Sequence, residues 1–348
     1  MTTSYRPLGR TGPAVSDFAL GCMTFGAEPG GDDHARAVFR AYLEAGGNLL
    51  DTAVNYAGGR SEDLLGRLVA ETGARESLVL STKYTFPHAG HPNAVGNGRT
   101  NALASLDTSL RRLRTDYVDL YWLHLWDTAT PAETVMATFD ALVRSGRVRA
   151  VGLSNTPAWY AAECVLVAQR YGWEPPCALQ LPYSLTRRQI EREHVGVAQR
   201  FGLSIVPWSP LDGGFLTGKY AGPGRRGAVG SGEGRLATAA YQAGPAAMMQ
   251  PDLAAWAALD VLRQIADEAG ATPAAVALRW LLDRPTVTSV LLGARTPAQL
   301  AANLAARDTE LSAEQVTRLE EAGRPAPELP YAMFDAAVLP AARALVRR

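Results

Sequence analysis

The sequence predicts an α/β fold, a single-domain (β/α)8 TIM barrel, and three observations predict it. Short apolar or β-branched runs recur at intervals of tens of residues, and strands covered on both faces require such near-continuous apolar character. Segments with helical periodicity lie between these runs. The runs number eight, which is the strand count of a closed barrel of this type.

The eight runs predict the eight barrel strands in chain order. Ahead of them, YRPLGRTGPAVS predicts a β-hairpin around Gly9 and Gly12 that plugs one barrel mouth. We expect one domain over 1–348, with a core at about 15–305 and a C-terminal extension at 306–348. The runs are DFALG (17–21), NLLDT (48–52), LVLSTK (78–83), VDLYWLH (118–124), VRAVGLS (148–154), CALQL (177–181), LSIVPWS (203–209) and VTSVLLG (287–293).

Three of the connecting segments have clear helical signals. In 100–113, leucines three or four residues apart share one face. In 131–145, Pro131 suits a first helical turn, and Ser61 is predicted to cap the helix at 62–70. We expect the arginines of the first segment to form a solvated helix face; they are Arg111, Arg112 and Arg114.

An open, doubly wound sheet is the competing fold. It would normally carry a glycine-rich dinucleotide fingerprint near its first strand. The one literal match, GPGRRG at 222–227, has no strand leading into it and contains proline and two arginines. It belongs to a Gly-, Ala- and Ser-rich insertion at about 220–250, after the seventh predicted strand. Such an insertion is either an active-site cover or a surface excursion.

Composition excludes several classes of protein. The 34 Lys+Arg balance 34 Asp+Glu, so no net field attracts nucleic acid or an acidic membrane. No apolar run approaches the ~18 residues of a membrane span, and the N-terminal segment lacks a secretory signal. Three cysteines without C-x-x-C spacing fit a reducing compartment. We expect a cytoplasmic protein with a small-molecule partner, and the sequence leaves oligomerisation open.

Polar side chains end nearly every predicted strand. In a (β/α)8 barrel, the carboxyl ends of the strands carry the chemistry. Each residue alone has a structural explanation, but their meeting at one barrel mouth predicts a functional site. The residues at these strand ends are Asp51, Tyr56, Lys83, His124, Ser154, Asn155, Gln180, Trp208, Ser209, Gly293 and Arg295.

Two further motifs require interpretation. Residues 213–220, GGFLTGKY, nearly match the phosphate loop of nucleotide hydrolases, but Tyr220 stands where a small hydroxyl would reach magnesium. The motif alone leaves open whether this segment holds a phosphate. His88, His91 and His124 could form a metal site, but no carboxylate or cysteine completes a ligand set.

The motifs, in their order along the chain, resemble those of the aldo-keto reductases. The resemblance runs from LGCMTFG (20–26) to about residue 305. It implies a barrel that binds a nicotinamide dinucleotide, usually NADP(H), without a Rossmann domain and reduces a carbonyl to an alcohol. DTAVNY (51–56), STK (81–83) and DLYWLH (119–124) resemble the catalytic signature, and VGLSN (151–155), LQLPYSL (179–185), WSPLDGGFLTGKY (208–220) and LLGARTPAQLAANL (291–304) resemble the cofactor segments.

The resemblance implies four catalytic roles. Tyr56 donates a proton to the developing alkoxide, and the ammonium of Lys83 should lower the pKa of that phenol. Asp51 pairs with Lys83, and His124, in its neutral form, donates a hydrogen bond to the carbonyl oxygen. The alternative is a structural Asp51–Lys83 ion pair with Tyr56 as a rim aromatic.

The resemblance also implies cofactor and substrate contacts. Asn155 and Gln180 would bind the carboxamide, the loop with Lys219 the pyrophosphate, and Arg295 a 2′-phosphate. The implied cofactor residues are Met23, Thr24, Asp51, Ser154, Asn155, Gln180, Trp208, Ser209, Pro210, Leu211, Gly213, Gly214, Lys219, Arg235, Gly293, Arg295, Gln299 and Asn303. Three aromatic residues that follow strands could line an apolar substrate mouth; they are Phe25, Tyr84 and Trp126. Core packing explains Phe25 equally well.

A second function of a different class remains open. The chain also resembles the cofactor-binding β subunits of potassium channels, in which the barrel is a partner-binding module. Those subunits lack the histidine at the position of His124, and this chain has it. That residue therefore favours a reductase.

Overall fold

A computed structural model describes residues 3–27, 31–220, 236 and 250–333, and it shows the predicted barrel. Strands β3 to β10 form one parallel sheet, in the order β10-β3-β4-β5-β6-β7-β8-β9. All eight predicted strands are therefore confirmed. The strands are β1 (Tyr5–Pro7), β2 (Ala14–Ser16), β3 (Phe18–Gly21), β4 (Leu49–Asp51), β5 (Val79–Tyr84), β6 (Val118–Leu123), β7 (Val148–Ser154), β8 (Ala178–Pro182), β9 (Ser204–Trp208) and β10 (Val290–Leu292).

Hydrogen bonds at the last seam close the sheet into a barrel. The first barrel strand, β3, pairs with the last, β10. Val287, just before β10, forms a parallel bridge with Ile205 of β9. The Ile205 N–H donates to the Thr286 carbonyl (2.7 Å), and the Thr288 N–H donates to the Ile205 carbonyl (3.1 Å). The open, doubly wound alternative is excluded.

Helices cover the outside of the barrel, and their apolar faces pack on the strands. The predicted helix at 100–113 is observed at Arg99–Leu113, and the one at 131–145 at Ala132–Arg144, with Pro131 just before it. The described helices are α1 (Asp32–Glu44), α2 (Arg60–Thr72), α3 (Arg99–Leu113), α4 (Ala132–Arg144), α5 (Ala158–Tyr171), α6 (His194–Phe201), α7 (Leu253–Glu268), α8 (Pro273–Leu282), α9 (Pro297–Leu304), α10 (Ala313–Ala322) and the short α11 (Tyr331–Met333). None of these is both long and apolar enough to cross a bilayer.

Two predictions about helical residues were wrong. Ser61 does not cap α2, which begins one residue earlier, after Gly59. Its buried hydroxyl instead donates to the Cys22 carbonyl (2.7 Å) and so ties α2 to the loop after β3. Arg112 does not belong to a solvated face, because it forms an ion pair with the buried carboxylate of Glu62 (3.1 Å).

The N-terminal hairpin of β1 and β2 closes the lower end of the barrel, as predicted. Leu8 and Val15 are fully buried in one apolar cluster with lumen-facing side chains such as Leu49 and Trp122. The turn fits closely because Gly9, with φ +64°, has no side chain; a Cβ there would lie 2.1 Å from the Cys177 carbonyl oxygen. The hairpin therefore acts as a packed plug.

Leu8→Ala should lower the free energy of unfolding by about 2–5 kcal/mol, because it removes a fully buried side chain and leaves a cavity. Urea unfolding measures the loss. The control is Leu253→Ala, at a side chain that is 81% exposed, which should change stability by less than about 0.5 kcal/mol. Equal stability of the two variants would show that the hairpin does not pack as a plug.

Candidate active site

A buried ion pair lies in the barrel lumen, at the carboxyl ends of the strands. Asp51 ends β4, and Ser81 is its partner on β5; Lys83, two residues further along β5, faces the same side because side chains alternate along a strand. The Lys83 ammonium donates to Asp51 Oδ2 and to the Thr52 carbonyl (2.8 Å). Asp51 Oδ1 accepts from the Ser81 hydroxyl (2.7 Å) and from Gln180 Nε2 (3.1 Å). The pair is thus hydrogen-bonded from three strands.

Tyr56 follows β4 and lies directly above this pair. The Lys83 ammonium is 4.8 Å from the centroid of the Tyr56 ring. The turn that carries Tyr56 is attached to β5, because the Val54 N–H donates to the Lys83 carbonyl (3.1 Å). The chain then turns sharply through positive φ at Ala57 (49°) and Gly58 (66°) before α2. The phenol is therefore held at the barrel mouth beside the buried cation.

Burial has a larger effect on the pKa of Tyr56 than the predicted lowering by Lys83, so the net shift is upward. Burial of the Tyr56 phenol raises its pKa above the ordinary value of 10.0, and the charge of Lys83 lowers it only in part. Burial lowers the pKa of the Lys83 ammonium, but interactions with Asp51 and Tyr56 outweigh this effect and the net shift is upward. At neutral pH the site therefore holds a protonated phenol next to a cation.

His124 follows β6 and faces the same hydroxyl. Its Nε2 lies 3.4 Å from the Tyr56 hydroxyl oxygen, and the imidazole is 8% exposed. Burial, aided by the charge of Lys83, holds the pKa of His124 well below 6.5, so the ring is neutral near pH 7. Its Nδ1 is buried without a hydrogen-bond partner in the described part of the chain. Because an orphaned N–H is rarer than an orphaned acceptor, the proton belongs on Nε2, which faces the mouth.

Of the two predicted carboxamide-binding residues, Gln180 bonds to Asp51, whereas Asn155 forms a hydrogen-bonded group with Ser154 and Trp208 beside His124. Asn155 Nδ2 donates to the His124 carbonyl and to the Ser154 hydroxyl, each at 2.9 Å. Trp208 Nε1 donates to Asn155 Oδ1 (3.0 Å). Asn155 and Ser209 both have positive φ, at 50° and 53°. Backbone strain of this kind gathers at functional sites.

The glycine-rich segment after β9 has a lysine folded over it. Gly214 has φ +90°, which favours glycine, and a Cβ there would lie 3.2 Å from the Lys219 ammonium. Some of the predicted phosphate donors are engaged within the loop, because the Asp212 and Gly213 N–H groups donate to the Ser209 carbonyl and hydroxyl (2.8 and 3.0 Å). The loop therefore offers positive charge and a close backbone, which suit a phosphate.

A second candidate phosphate position lies after β10. Arg295 is exposed, just ahead of α9. Its N–H donates to Gln299 Oε1 (2.9 Å), while Thr296 caps the helix. A helix N-terminus beside a guanidinium is suited to an anion. Of the other predicted cofactor residues, Met23 and Gly293 are exposed, Thr24 and Leu211 half-buried, and Pro210 and Asn303 buried, while Arg235 lies outside the described residues.

Tyr84, which was predicted to line the substrate mouth, faces away from the barrel lumen. Tyr84 is fully buried and packs against Tyr121 and Phe139, between β5 and the helices. Because Lys83 faces the lumen, its neighbour Tyr84 must face outward. Phe25 is also buried, at 2% exposure.

Two aromatic residues at the mouth were not predicted. Phe86 packs its ring edge-to-face on His124, with centroids 4.8 Å apart. Trp159, which is 56% exposed, packs on the half-buried Trp126, with ring centroids 5.3 Å apart. Phe86 lies two residues beyond the end of β5, and this position is a sequence signal that could have found it; Trp159 is the second residue of α5 and has no such signal.

Comparisons with known proteins agree with this geometry. Residues 17–324 match the model of the aldo/keto reductase family. The chain is 34% identical to a norsolorinic acid reductase of Emericella nidulans, over 89% of this chain and 79% of the relative. It is 32% identical to a putative voltage-gated potassium channel subunit beta of Schizosaccharomyces pombe (91% and 92% covered). It is 31% identical to an aryl-alcohol dehydrogenase of Pestalotiopsis microspora (88% and 78% covered).

The neutral state of His124 predicts a pH-dependent stability. Below pH 6.5 His124 is protonated in the unfolded chain but stays neutral in the folded protein. Its contribution to the stability of the folded state therefore falls as pH decreases toward the lowered folded-state pKa. Between pH 7.5 and 5.5, wild type should lose about 1 kcal/mol more than His124→Gln, measured by urea unfolding. The exposed His34→Gln variant is the control and should follow wild type. Parallel curves for wild type and His124→Gln would contradict a depressed pKa.

Proposed function

This chain belongs to the aldo/keto reductase family, and on that premise we propose that it is an NADPH-dependent reductase of aldehydes or ketones. The family match and the reductase-named relatives establish an oxidoreductase acting on carbonyl groups in general. One observation supports the proposed reduction of an aldehyde or ketone: Tyr56, the Asp51–Lys83 pair and His124 meet at one barrel mouth.

Tyr56 is suited to give a proton to the substrate. A reduced nicotinamide, when bound, supplies the hydride, and the protein must protonate the oxygen that becomes negative. The raised pKa keeps the Tyr56 phenol protonated at neutral pH. As the proton leaves, the neighbouring Lys83 ammonium stabilises the phenolate. Asp51 holds that ammonium in place and keeps it charged.

His124 is suited to bind and orient the carbonyl. Its neutral ring carries the proton on Nε2, beside the Tyr56 hydroxyl, so one substrate oxygen can meet both donors. A neutral imidazole polarises the carbonyl without competing for the proton of Tyr56. His124 is buried, and a low local dielectric strengthens a hydrogen bond.

The residues at the mouth suit a nicotinamide dinucleotide, and the family generally uses nicotinamide cofactors. Asn155 and Gln180 carry amides that complement a carboxamide, and Lys219 lies over the glycine turn where a pyrophosphate would be held. Arg295, beside the start of α9, supports the choice of NADP(H), because a guanidinium binds a phosphate in a bidentate manner.

An aromatic carbonyl compound is the substrate class that the mouth supports best. Phe86 packs on His124, and the Trp126–Trp159 pair lies at the same end of the barrel. Aromatic rings pack edge-to-face or offset on such surfaces. One similar protein is named as an aryl-alcohol dehydrogenase, which agrees with this choice.

A partner-binding subunit is the second candidate, because one similar protein is named a potassium channel subunit beta. His124 weighs against it. A module that only senses the cofactor does not require a buried, neutral imidazole beside Tyr56.

Tyr56→Phe should lower kcat for an aromatic aldehyde such as 4-nitrobenzaldehyde by at least about 100-fold, because it removes the proton donor and keeps the ring. NADPH absorbance at 340 nm, a general property of the cofactor, measures turnover, and protein fluorescence measures NADPH binding, which should be unchanged. The control is Tyr171→Phe, at a side chain that is 44% exposed. Undiminished turnover in Tyr56→Phe would remove Tyr56 from this role.

Arg295→Ala should weaken NADPH binding by about tenfold or more and leave NADH binding nearly unchanged, because the guanidinium is assigned to the phosphate that only NADPH carries. Fluorescence titration with both cofactors measures the difference. The exposed Arg200→Ala variant on α6 is the control for a lost surface charge. Equal weakening for both cofactors would reject the assignment.

A further inference from the structure

A buried hydroxyl behind His124 joins the site to the loop that follows β5. Thr85 Oγ1 accepts a hydrogen bond from the main-chain N–H of His124 (3.2 Å) and donates its own proton to Asn97 Oδ1 (2.6 Å). The two residues are 5% and 0% exposed. The donor and acceptor roles follow from the partners, since an N–H can only donate and the hydroxyl has one proton.

Asn97 extends this link to the chain just after His124. Its Nδ2 donates to the Leu125 carbonyl (2.9 Å), and its main-chain N–H donates to Asp127 Oδ2 (2.8 Å). With Thr85, it therefore fixes the backbone on both sides of the imidazole. Asn97 belongs to a loop whose sequence, PHAGHPNAVGNG at 87–98, carries no motif that the proposed reaction uses.

The backbone of Thr85 is strained, and this strained turn places the next residue against His124. Its φ is +103°, a value that a β-branched residue rarely adopts. The Gly96 N–H donates to the Thr85 carbonyl (2.8 Å). The loop is therefore hydrogen-bonded to both the main chain and the side chain of Thr85. The next residue, Phe86, then packs on the imidazole of His124. Strain persists where the surroundings over-determine it, and it gathers at functional sites.

We propose that Thr85 and Asn97 are positioning residues that hold His124 with Nε2 facing the substrate oxygen beside Tyr56. The inference rests on the proposed function. Neither residue touches the reacting atoms. They act through the main chain of His124 and through the ring that packs on it.

Thr85→Val tests this with little change of shape, since valine keeps the branch at Cβ and loses only the hydroxyl. The catalytic efficiency with an aromatic aldehyde should fall about tenfold or more, because small misplacements of an orienting group are costly. Thr85→Ser should restore most of it. NADPH affinity should stay within about twofold of wild type. Thr138→Val, at a buried threonine of α4 whose hydroxyl donates to the Thr134 carbonyl of the same helix (2.8 Å), is the matched control and should behave as wild type.

A double-mutant cycle separates positioning from general destabilisation. In a His124→Ala background, Thr85→Val should change catalytic efficiency by less than about twofold, because the group it positions is gone. Asn97→Asp, which loses the donor to the Leu125 carbonyl, should show the same pattern and serves if Thr85→Val does not fold.

Three results would overturn the inference. The first is a Thr85→Val or Asn97→Asp enzyme with wild-type efficiency, while His124→Ala is impaired; the proposed function would then stand without this device. The second is a loss that persists undiminished in the His124→Ala background, which indicates a structural role. The third is that the wild-type protein does not oxidise NADPH with any of the carbonyl compounds tested. That result would reject the proposed function and this inference with it.

Discussion

The buried ion pair of Asp51 and Lys83 is the interaction on which the rest of the site depends. Removing two charges from water costs several kcal/mol per ion, which only good geometry and complete hydrogen bonding offset. Ser81 and Gln180 supply part of that bonding, and they come from β5 and β8, which lie apart in the sheet. Only a closed barrel brings these groups together. Once formed, the pair places a positive charge under Tyr56 and helps to keep the nearby imidazole neutral.

The barrel and the place of its polar residues could be predicted because both follow from local patterns. Apolar runs mark strands that are covered on both faces, and the polar residue after each run lies at the same end of the sheet. The same alternation could have placed Tyr84 correctly, since it adjoins Lys83 and must face the helices. The error over Arg112 was different. Helical spacing places it off the leucine stripe, but no local pattern shows that the buried Glu62 lies opposite.

The loops that shape the mouth could not be predicted from local pattern. Thr85, Asn155 and Ser209 all have positive φ, and none is a glycine that would announce such a conformation. Tertiary contacts hold this geometry, such as the hydrogen bonds of Thr85 to Gly96 and Asn97. Such contacts join segments that no periodicity relates. The positions of the polar residues therefore follow from local sequence patterns, whereas the loop conformations around them do not.

A crystal structure of the protein with NADP⁺ and an aromatic carbonyl compound tests the central claim most directly. We predict that the carbonyl oxygen lies within hydrogen-bonding distance, about 2.6–3.2 Å, of both the Tyr56 hydroxyl and His124 Nε2. The Lys83–Asp51 pair should stay intact beneath them. A carbonyl oxygen bound away from Tyr56, or a dinucleotide bound anywhere other than this mouth, would contradict this claim.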